Sequence, residues 1–389
     1  MKDLLAKKFI DAEKRRQRCV VNLIASENYV SDDVLEALGS MFTNKYAEGY
    51  PGARYYGGNE VVDKVERLAQ QRALHVFGLN DKKWAVNVQA LSGSPANIAV
   101  YTALIPIGGT IMGMDLTHGG HLTHGFKVSA TGKFWKQIPY FVDKKTGRID
   151  YDELKKLAKK TKPDIVVAGY SAYSRKINFK KFREIADAGG SLLMVDMSHI
   201  AGLVATGAHP HPFTHADIVT TTTHKTLRGP RSALIFSRID DRKINTKIDK
   251  AVFPGLQGGP HMNQILSVAV ALGEAKKASF KTYIKHVVEN ADTLARELKK
   301  HGWKIVSGGT DNHLLLVDVF GTIGMGGDEA SRRLEKVGII VNKNTIPNET
   351  RSPRDPSGIR FGTAAETTRG MTKRDFVNIA QTIDETLRA

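Results

Sequence analysis

A single cysteine, Cys19, is all that the chain contains. An intramolecular disulfide and a metal site built from several cysteines are therefore excluded, and a reducing cytoplasm is the simplest compartment. Long apolar runs are also missing. No stretch reaches the roughly twenty residues that a membrane-spanning helix needs, and 41% hydrophobic content without such a run is that of a soluble globular protein. Met1-Lys-Asp-Leu-Leu-Ala-Lys-Lys, with Lys14-Arg-Arg where an apolar segment would belong, is not a secretory signal. Acidic residues are scarce: 40 Asp and Glu stand against 57 Lys and Arg, a formal net charge of +17. Such an excess suits either a nucleic-acid footprint or a lysine-rich solvated surface with sites for anionic ligands. Lys7-Lys8, Lys82-Lys83, Lys155-Lys156, Lys159-Lys160 and Lys180-Lys181 are dispersed and lack interleaved aromatics. RNA or another polyanion is thus the alternative partner rather than the favoured one.

What is present is an alternation of strand and helix patterns. Ile165-Val-Val-Ala-Gly, Leu192 to Val195, Ile218 to Thr223 and Ala233-Leu-Ile-Phe read as strands, with helices over Asp152 to Lys160 and Phe179 to Ala188 between them. This predicts an α/β protein with a largely parallel sheet. A helical stretch runs from Pro260 towards Lys277, Tyr283 to Lys300 reads as an amphipathic helix, and His313-Leu-Leu-Leu-Val-Asp-Val opens a fresh strand set. The expected division is 1–275, an N-terminal arm with a large domain, and 276–389, a small C-terminal domain. No internal repeat or low-complexity segment stands out.

Three short motifs inside that pattern carry chemistry. Lys225 ends the run Asp217-Ile-Val-Thr-Thr-Thr-Thr-His-Lys, where an α/β sheet opens to its ligand, and a lysine there can form a Schiff base with an aldehyde. Asp196 closes Leu192-Leu-Met-Val-Asp, and a carboxylate in that place can keep a pyridinium nitrogen protonated. Ser92-Gly-Ser-Pro-Ala-Asn offers small residues, an N-cap in Ser94 and proline at the first helical position, a helix start suited to phosphate. Singly, these would be a solvated strand end, a turn residue and an ordinary loop. Together, in this order, they outline a pyridoxal-phosphate site. His118-x-x-His121-x-x-His124 has ligand-like spacing, but Gly119-Gly120 disfavours a helix and no acidic or cysteine partner follows, so no metal is expected.

Longer motifs identify a family. Asn22-Leu-Ile-Ala-Ser-Glu-Asn, Thr43-Asn-Lys-Tyr-Ala-Glu-Gly-Tyr-Pro-Gly, Arg54-Tyr-Tyr-Gly-Gly, His118-Gly-Gly-His-Leu-Thr-His-Gly, Val219 to Lys225, Val252-Phe-Pro-Gly-Leu-Gln-Gly-Gly-Pro and Ser307-Gly-Gly-Thr-Asp-Asn-His resemble serine hydroxymethyltransferase, in that family's order and over nearly the whole chain. The resemblance implies a fold type I pyridoxal-phosphate transferase, similar to aspartate aminotransferase, with a mostly parallel large domain and a smaller α+β C-terminal domain. It implies transfer of the hydroxymethyl carbon of L-serine to tetrahydrofolate, giving glycine and methylenetetrahydrofolate. By position, Lys225 matches the lysine that carries pyridoxal phosphate, Asp196 the pyridinium partner and His121 the imidazole stacked on the ring. Ser92, Gly93, Ser94 and His224 match phosphate contacts, and Ser171 and His199 match groups near the phenolic oxygen. Arg360 and Ser26 match the carboxylate clamp, Glu48 the acid/base carboxylate, and Tyr46, Tyr56 and Thr222 further substrate and catalytic positions. Tyr55, Leu116, Gly119, Gly120, Leu122, Asn344 and Ser352 match folate contacts. The resemblance also implies a homodimer with shared sites, in which Tyr46, Tyr55, Glu48, Gly258 and Gly259 come from the partner chain, the two glycines reaching the phosphate.

Several residues depart from the family pattern. Leu91 stands in place of a histidine and Pro95 in place of a glutamine. Ser198 adds a hydroxyl that must find a partner. Arg228 and Arg354 add cations that suit an anionic ligand such as a polyglutamate tail. A folate-independent aldolase acting on threonine-like substrates would need only the Lys225 machinery, and is the nearest alternative activity.

Overall fold

The computed structural model describes residues 2–389. A seven-stranded sheet forms its centre, in the spatial order Trp84–Asn87, Ala233–Arg238, Ile218–Thr222, Leu192–Asp196, Ile165–Gly169, Thr110–Met114, Lys136–Tyr140. Every pairing from Ile218–Thr222 to Lys136–Tyr140 is parallel. Ala233–Arg238 alone runs against both of its neighbours. The reason is the connection from Thr222 to Ala233, which is shorter than the dozen or more residues a parallel crossover needs. The expected α/β architecture is therefore present, with one reversed strand.

Burial explains the strand sequences. All five residues of Ile165–Gly169 and of Ile218–Thr222 are buried, as in a sheet covered on both faces. Alternate side chains enter different layers: Ile165, Val167, Met194 and Ile235 pack on one side, and Val166, Ala168, Leu193 and Val195 on the other. The helices Tyr151–Thr161 and Phe179–Gly189 cover the second side through Leu154, Phe182 and Ile185. Their starts are fixed by the side chains of Asp150 and Asn178, which accept hydrogen bonds from first-turn amides. Lys162 and Gly190, both left-handed, end them.

A second, four-stranded antiparallel sheet has the order Lys304–Ile305, Leu314–Asp318, Gly358–Gly362, Asn342–Asn344. Its core joins Leu315, Val317 and Phe361 to Phe376 and Ile383 of the helix Lys373–Arg388. The helix Ala278–Lys300 serves both cores, giving Phe280 and Ile284 to the first and Leu294 and Leu298 to the second. The N-terminal segment also reaches the second body. Val21–Asn22 pairs in parallel with Ile339–Ile340, and Leu23 lies in the second core. There the fully buried carboxylate of Glu366 accepts from the Asn22 amide and pairs with Arg369. Among the described residues no helix is long and apolar enough to cross a membrane.

The parallel strands bring their carboxyl ends to one edge of the sheet, and the segments 115–124, 170–175, 196–199 and 223–226 leave from that edge. Close backbone packing holds the first of them. A Cβ on Gly113 would lie 2.6 Å from the His124 carbonyl oxygen and 2.9 Å from its Cβ. Gly113→Ala is expected to cost about 1–3 kcal/mol, read as a lower urea midpoint, because backbone has to move. Gly57→Ala, where a Cβ meets nothing within 4 Å, should leave the midpoint in place.

Candidate active site

Asp196 is the best-bonded group at this edge. One carboxylate oxygen accepts from the Ser198 hydroxyl at 2.6 Å and the Ser198 amide at 3.1 Å. The other accepts from Asn97 Nδ2 at 2.9 Å and faces His124 Nε2 at 3.3 Å. Burial alone would push this carboxyl up, but the bonds from His124 and Ser198 and the nearby imidazoles hold it well below the usual carboxylate range. It is an ionised group in a closed site. The hydroxyl of Ser198 has found its partner here, and it also accepts from the Thr222 amide at 3.1 Å.

Lys225 follows the strand Ile218–Thr222 and is only 8% exposed, so it is no solvated strand end. Burial brings its ammonium down to about 8, against the opposing pull of Asp196. Its carbonyl is tied by Asn28 Nδ2 at 2.9 Å, which links the N-terminal segment to the lysine turn.

His121, His199 and His313 also lie near the pair. His121 is neutral, its imidazole lowered to about 4 first by burial and then by His124. Its Nδ1 accepts from the Thr123 amide at 3.2 Å and lies 2.7 Å from the Thr123 hydroxyl, which in turn accepts from Asn97 at 2.8 Å. His199 and His313 stack with ring centroids 5.4 Å apart, and Nδ1 of His199 meets Nε2 of His313 at 3.2 Å. Both are lowered, chiefly by burial, His313 to about 3 and His199 well below the ordinary value. Nδ1 of His313 is buried without a hydrogen-bond partner. Asn97, Thr123, His124 and His313 were given no role from sequence. Asn97 and His313 end two of the motifs quoted above, and that was the available signal.

Arg360, on the strand Gly358–Gly362, is 8% exposed and has no carboxylate partner among the described residues. Nε donates to Asn342 Oδ1 at 3.0 Å and one terminal nitrogen to the Ser171 carbonyl at 2.7 Å. Burial lowers the guanidinium to about 10. A buried cation held by neutral oxygens is prepared for an anion. Gly119 and Gly120 are glycines because backbone crosses them: a Cβ would lie 2.5 Å from the Ala172 oxygen or 2.0 Å from the Met114 oxygen. The Ser171 amide donates to the Gly119 carbonyl, so the 116–124 loop and the Arg360 support are one unit.

The helix that was to start at Ser94 spans Gly93–Leu104 with Ser92 as N-cap. Pro95 is thus its third residue, tolerated because first-turn amides lack intrahelical partners. Ser92 makes no capping bond with its hydroxyl, which leaves it and the Gly93 and Ser94 amides available. A Cβ on Gly93 would press on Thr222 at 2.8 Å. Thr222 Oγ1 and His224 Nδ1 are buried without partners. His224, lowered to about 3 chiefly by burial, lines a cavity of about 330 Å³ with Ser26, Asn28 and Arg231.

A second group of expected residues gathers apart from these. Tyr46 OH donates to Glu48 at 3.4 Å, Tyr46 and Tyr56 meet edge to face at 5.4 Å, and Tyr55 packs on Phe253 at 5.9 Å. Gly258 and Gly259 complete it: a Cβ on either would come within 3.2 Å of Glu48 or of the Tyr46 ring. No hydrogen bond or ring contact among the described residues joins this group to Lys225. Tyr46, Tyr55 and Tyr56 are all exposed. Arg54 fixes the loop: it pairs with Asp63 and with buried Glu66, and donates to the carbonyls of Ala47 and Gly49 on either side of Glu48. Leu116 and Asn344 are half-buried, while Leu122 and Ser352 are exposed. Arg228 differs from the expectation of a free cation, since its guanidinium lies 4.3 Å from the Tyr283 ring centre and 5.4 Å from that of Phe280. Arg354 remains exposed.

A partly deprotonated buried lysine, an ionised carboxylate, a free helix start and unpartnered polar atoms beside it fit an aldehyde cofactor with an aromatic ring and a phosphate. The fold and this edge together define a fold type I pyridoxal-phosphate enzyme. A family model described as Serine hydroxymethyltransferase matches residues 1–383, and the chain belongs to that family. Its cofactor is pyridoxal phosphate, and its reaction moves the hydroxymethyl carbon of L-serine reversibly to tetrahydrofolate, leaving glycine. No feature of the site favours the folate-independent aldolase.

The buried imidazoles make the site sensitive to acid. His121, His224 and His313 have folded values of about 4, 3 and 3 against 6.5 for a free imidazole. The unfolded chain binds more protons across that window, so stability should fall as pH drops from 6.5 towards 4 and be flat in this respect above 7. Urea midpoints at pH 7.5, 6 and 5 check the sign. For Ser198→Ala, which strips a donor from Asp196 and leaves the Thr222 amide unpaired, a loss of about 1–3 kcal/mol is expected from the same measurement.

Proposed function

We propose that Lys225 holds pyridoxal phosphate covalently through its ε-amine and that Asp196 pairs with the ring nitrogen, His121 lying on the ring face. Ser92, Gly93, Ser94 and His224 hold the phosphate, with Ser171 and His199 beside the phenolic oxygen. When bound, the cofactor supplies a ring that accepts the electron pair released as a bond at the substrate Cα breaks. Support for Asp196 is its ionised state under four donors, and support for Lys225 is a value of about 8, which leaves an appreciable share of free amine near neutrality.

Arg360 receives the substrate carboxylate with help from Ser26, and so decides which Cα bond stands perpendicular to the ring. The observation that carries the reading is this arginine, buried and without a carboxylate partner at the same edge as Lys225. Glu48, with Tyr46, Tyr56 and Thr222, handles the proton of the substrate hydroxyl. Tyr55, Leu116, Gly119, Gly120, Leu122, Asn344 and Ser352 line the folate site.

Two copies form a homodimer and exchange the group around Glu48, so that Gly258 and Gly259 of one protomer approach the cofactor of its partner. The exposure of Tyr46, Tyr55 and Tyr56 beside the two glycines supports this arrangement. The division at residues 1–275 and 276–389 and a cytoplasmic location belong to the same proposal.

The deciding experiment measures glycine formation from L-serine with and without tetrahydrofolate, alongside the visible absorbance of the purified protein. Activity should require folate. Lys225→Ala should lose both the covalent absorbance band and turnover, whereas Arg360→Ala should keep the band and lose at least a hundredfold in kcat/KM, about 2.7 kcal/mol. Unchanged serine cleavage without folate, or normal kcat/KM in Arg360→Ala, would count against the assignment. Mixing Lys225→Ala with Glu48→Gln should restore activity if sites are shared between protomers.

A further inference from the structure

Beyond the carboxyl end of the strand Lys136–Tyr140, and lined by none of the residues around Lys225, a groove of about 540 Å³ separates the turn 143–148 from the second sheet, with Ile346 to Asn348 closing one end. Its walls carry Lys144, Lys145, Arg148 and Lys304 against a single carboxylate, Asp318. Little neutralises those cations. Lys145 and Arg148 make their hydrogen bonds through backbone amides, and neither they nor Lys144 take part in an ion pair among the described residues. Lys304 donates to a neutral oxygen, the Gly321 carbonyl, at 2.5 Å. Asp318 is already engaged, because its Oδ1 accepts from the Gly321 amide at 2.7 Å as a helix cap. Asp143, beside the turn, spends its Oδ1 on the amides and hydroxyl within it.

The walls are built rather than loose. Gly147 is left-handed, at φ +64, and a Cβ there would touch the Ser307 amide at 3.2 Å. Ser307, itself at φ +60, is held by Arg175 Nε at 2.9 Å and by the Ser174 hydroxyl at 3.0 Å. The two walls also belong to different bodies: Val142 and Ile149 anchor the turn in the first core, and Ile305 packs on the second. Like charges facing each other across such a gap repel, and a multivalent anion between them removes the repulsion.

We infer that this groove is a binding site for a small, multiply charged anion of the phosphate or polycarboxylate class, which bridges the two bodies of the chain. The site is separate from the one that takes serine and the cofactor. Its size suits a compact ligand, and the absence of aromatic side chains from its walls argues against a track for single-stranded nucleic acid.

The test uses cofactor-loaded enzyme, calorimetric titration at 150 mM salt and thermal melting, with inorganic pyrophosphate in one arm and citrate in the other. Saturable binding of one anion per chain, with a rise in Tm, is expected for at least one of them, and the arm that binds names the class. The combined variant Lys144→Ala, Lys145→Ala, Arg148→Ala should keep serine turnover and bind at least tenfold more weakly. A control lacking Lys82, Lys159 and Lys160 should bind as the parent does. Absence of saturable binding in both arms, or equal weakening in the control, would overturn the site in favour of a diffuse response to the net charge of +17.

Discussion

An ionised carboxylate inside a protein must be surrounded by donors, and much of the geometry at the Lys225 edge follows from satisfying Asp196. Its four donors come from the helix Gly93–Leu104, the loop 116–124 and its own turn. The Ser198 hydroxyl extends the network to the Thr222 amide, and Thr220 reaches Asn97 from the same neighbouring strand. Two strands, a helix and a loop are thereby held in mutual register to within hydrogen-bond tolerance. Leaving such a charge buried with a donor missing costs about 1–3 kcal/mol, so the network has little freedom to drift.

The positive groups are treated differently. Lys225 and Arg360 are as buried as Asp196, yet neither is given a carboxylate of its own, and each is displaced from its ordinary proton affinity mainly by burial. The chain instead surrounds them with carbonyls, amides and neutral imidazoles. Buried Arg54, by contrast, is paired with Asp63 and Glu66, and its remaining bonds shape the Glu48 loop.

Much of this was legible in the sequence because it is locally encoded. The β-branched runs at Ile165 and Ile218 became buried parallel strands, and the amphipathic stretch after Phe179 became a helix within a residue of its expected end. Asp196 and Lys225 could be read because strand ends in such sheets face a common edge. Features that depend on distant partners were not readable. Ser92, not Ser94, takes the N-cap position of the helix Gly93–Leu104, a choice made by backbone geometry. Arg228 looked like a free cation, but Tyr283 and Phe280 sit under it from a helix some fifty residues further on. His313 acquires its meaning only from His199, 114 residues away.

The pairing of Val21–Asn22 with Ile339–Ile340 carries a consequence for biosynthesis. The ribosome releases residues 21–23 early, but the strand they join and the buried Glu366 that binds the Asn22 amide are made near the end of translation. The first sheet, whose strands all lie between Trp84 and Arg238, can condense while the rest is still being made. The N-terminal segment must wait beside it, unpaired. Because Asn28 in that segment also ties down the Lys225 turn, the lysine reaches its final setting only when synthesis is nearly complete, which delays a competent site until the last helices emerge.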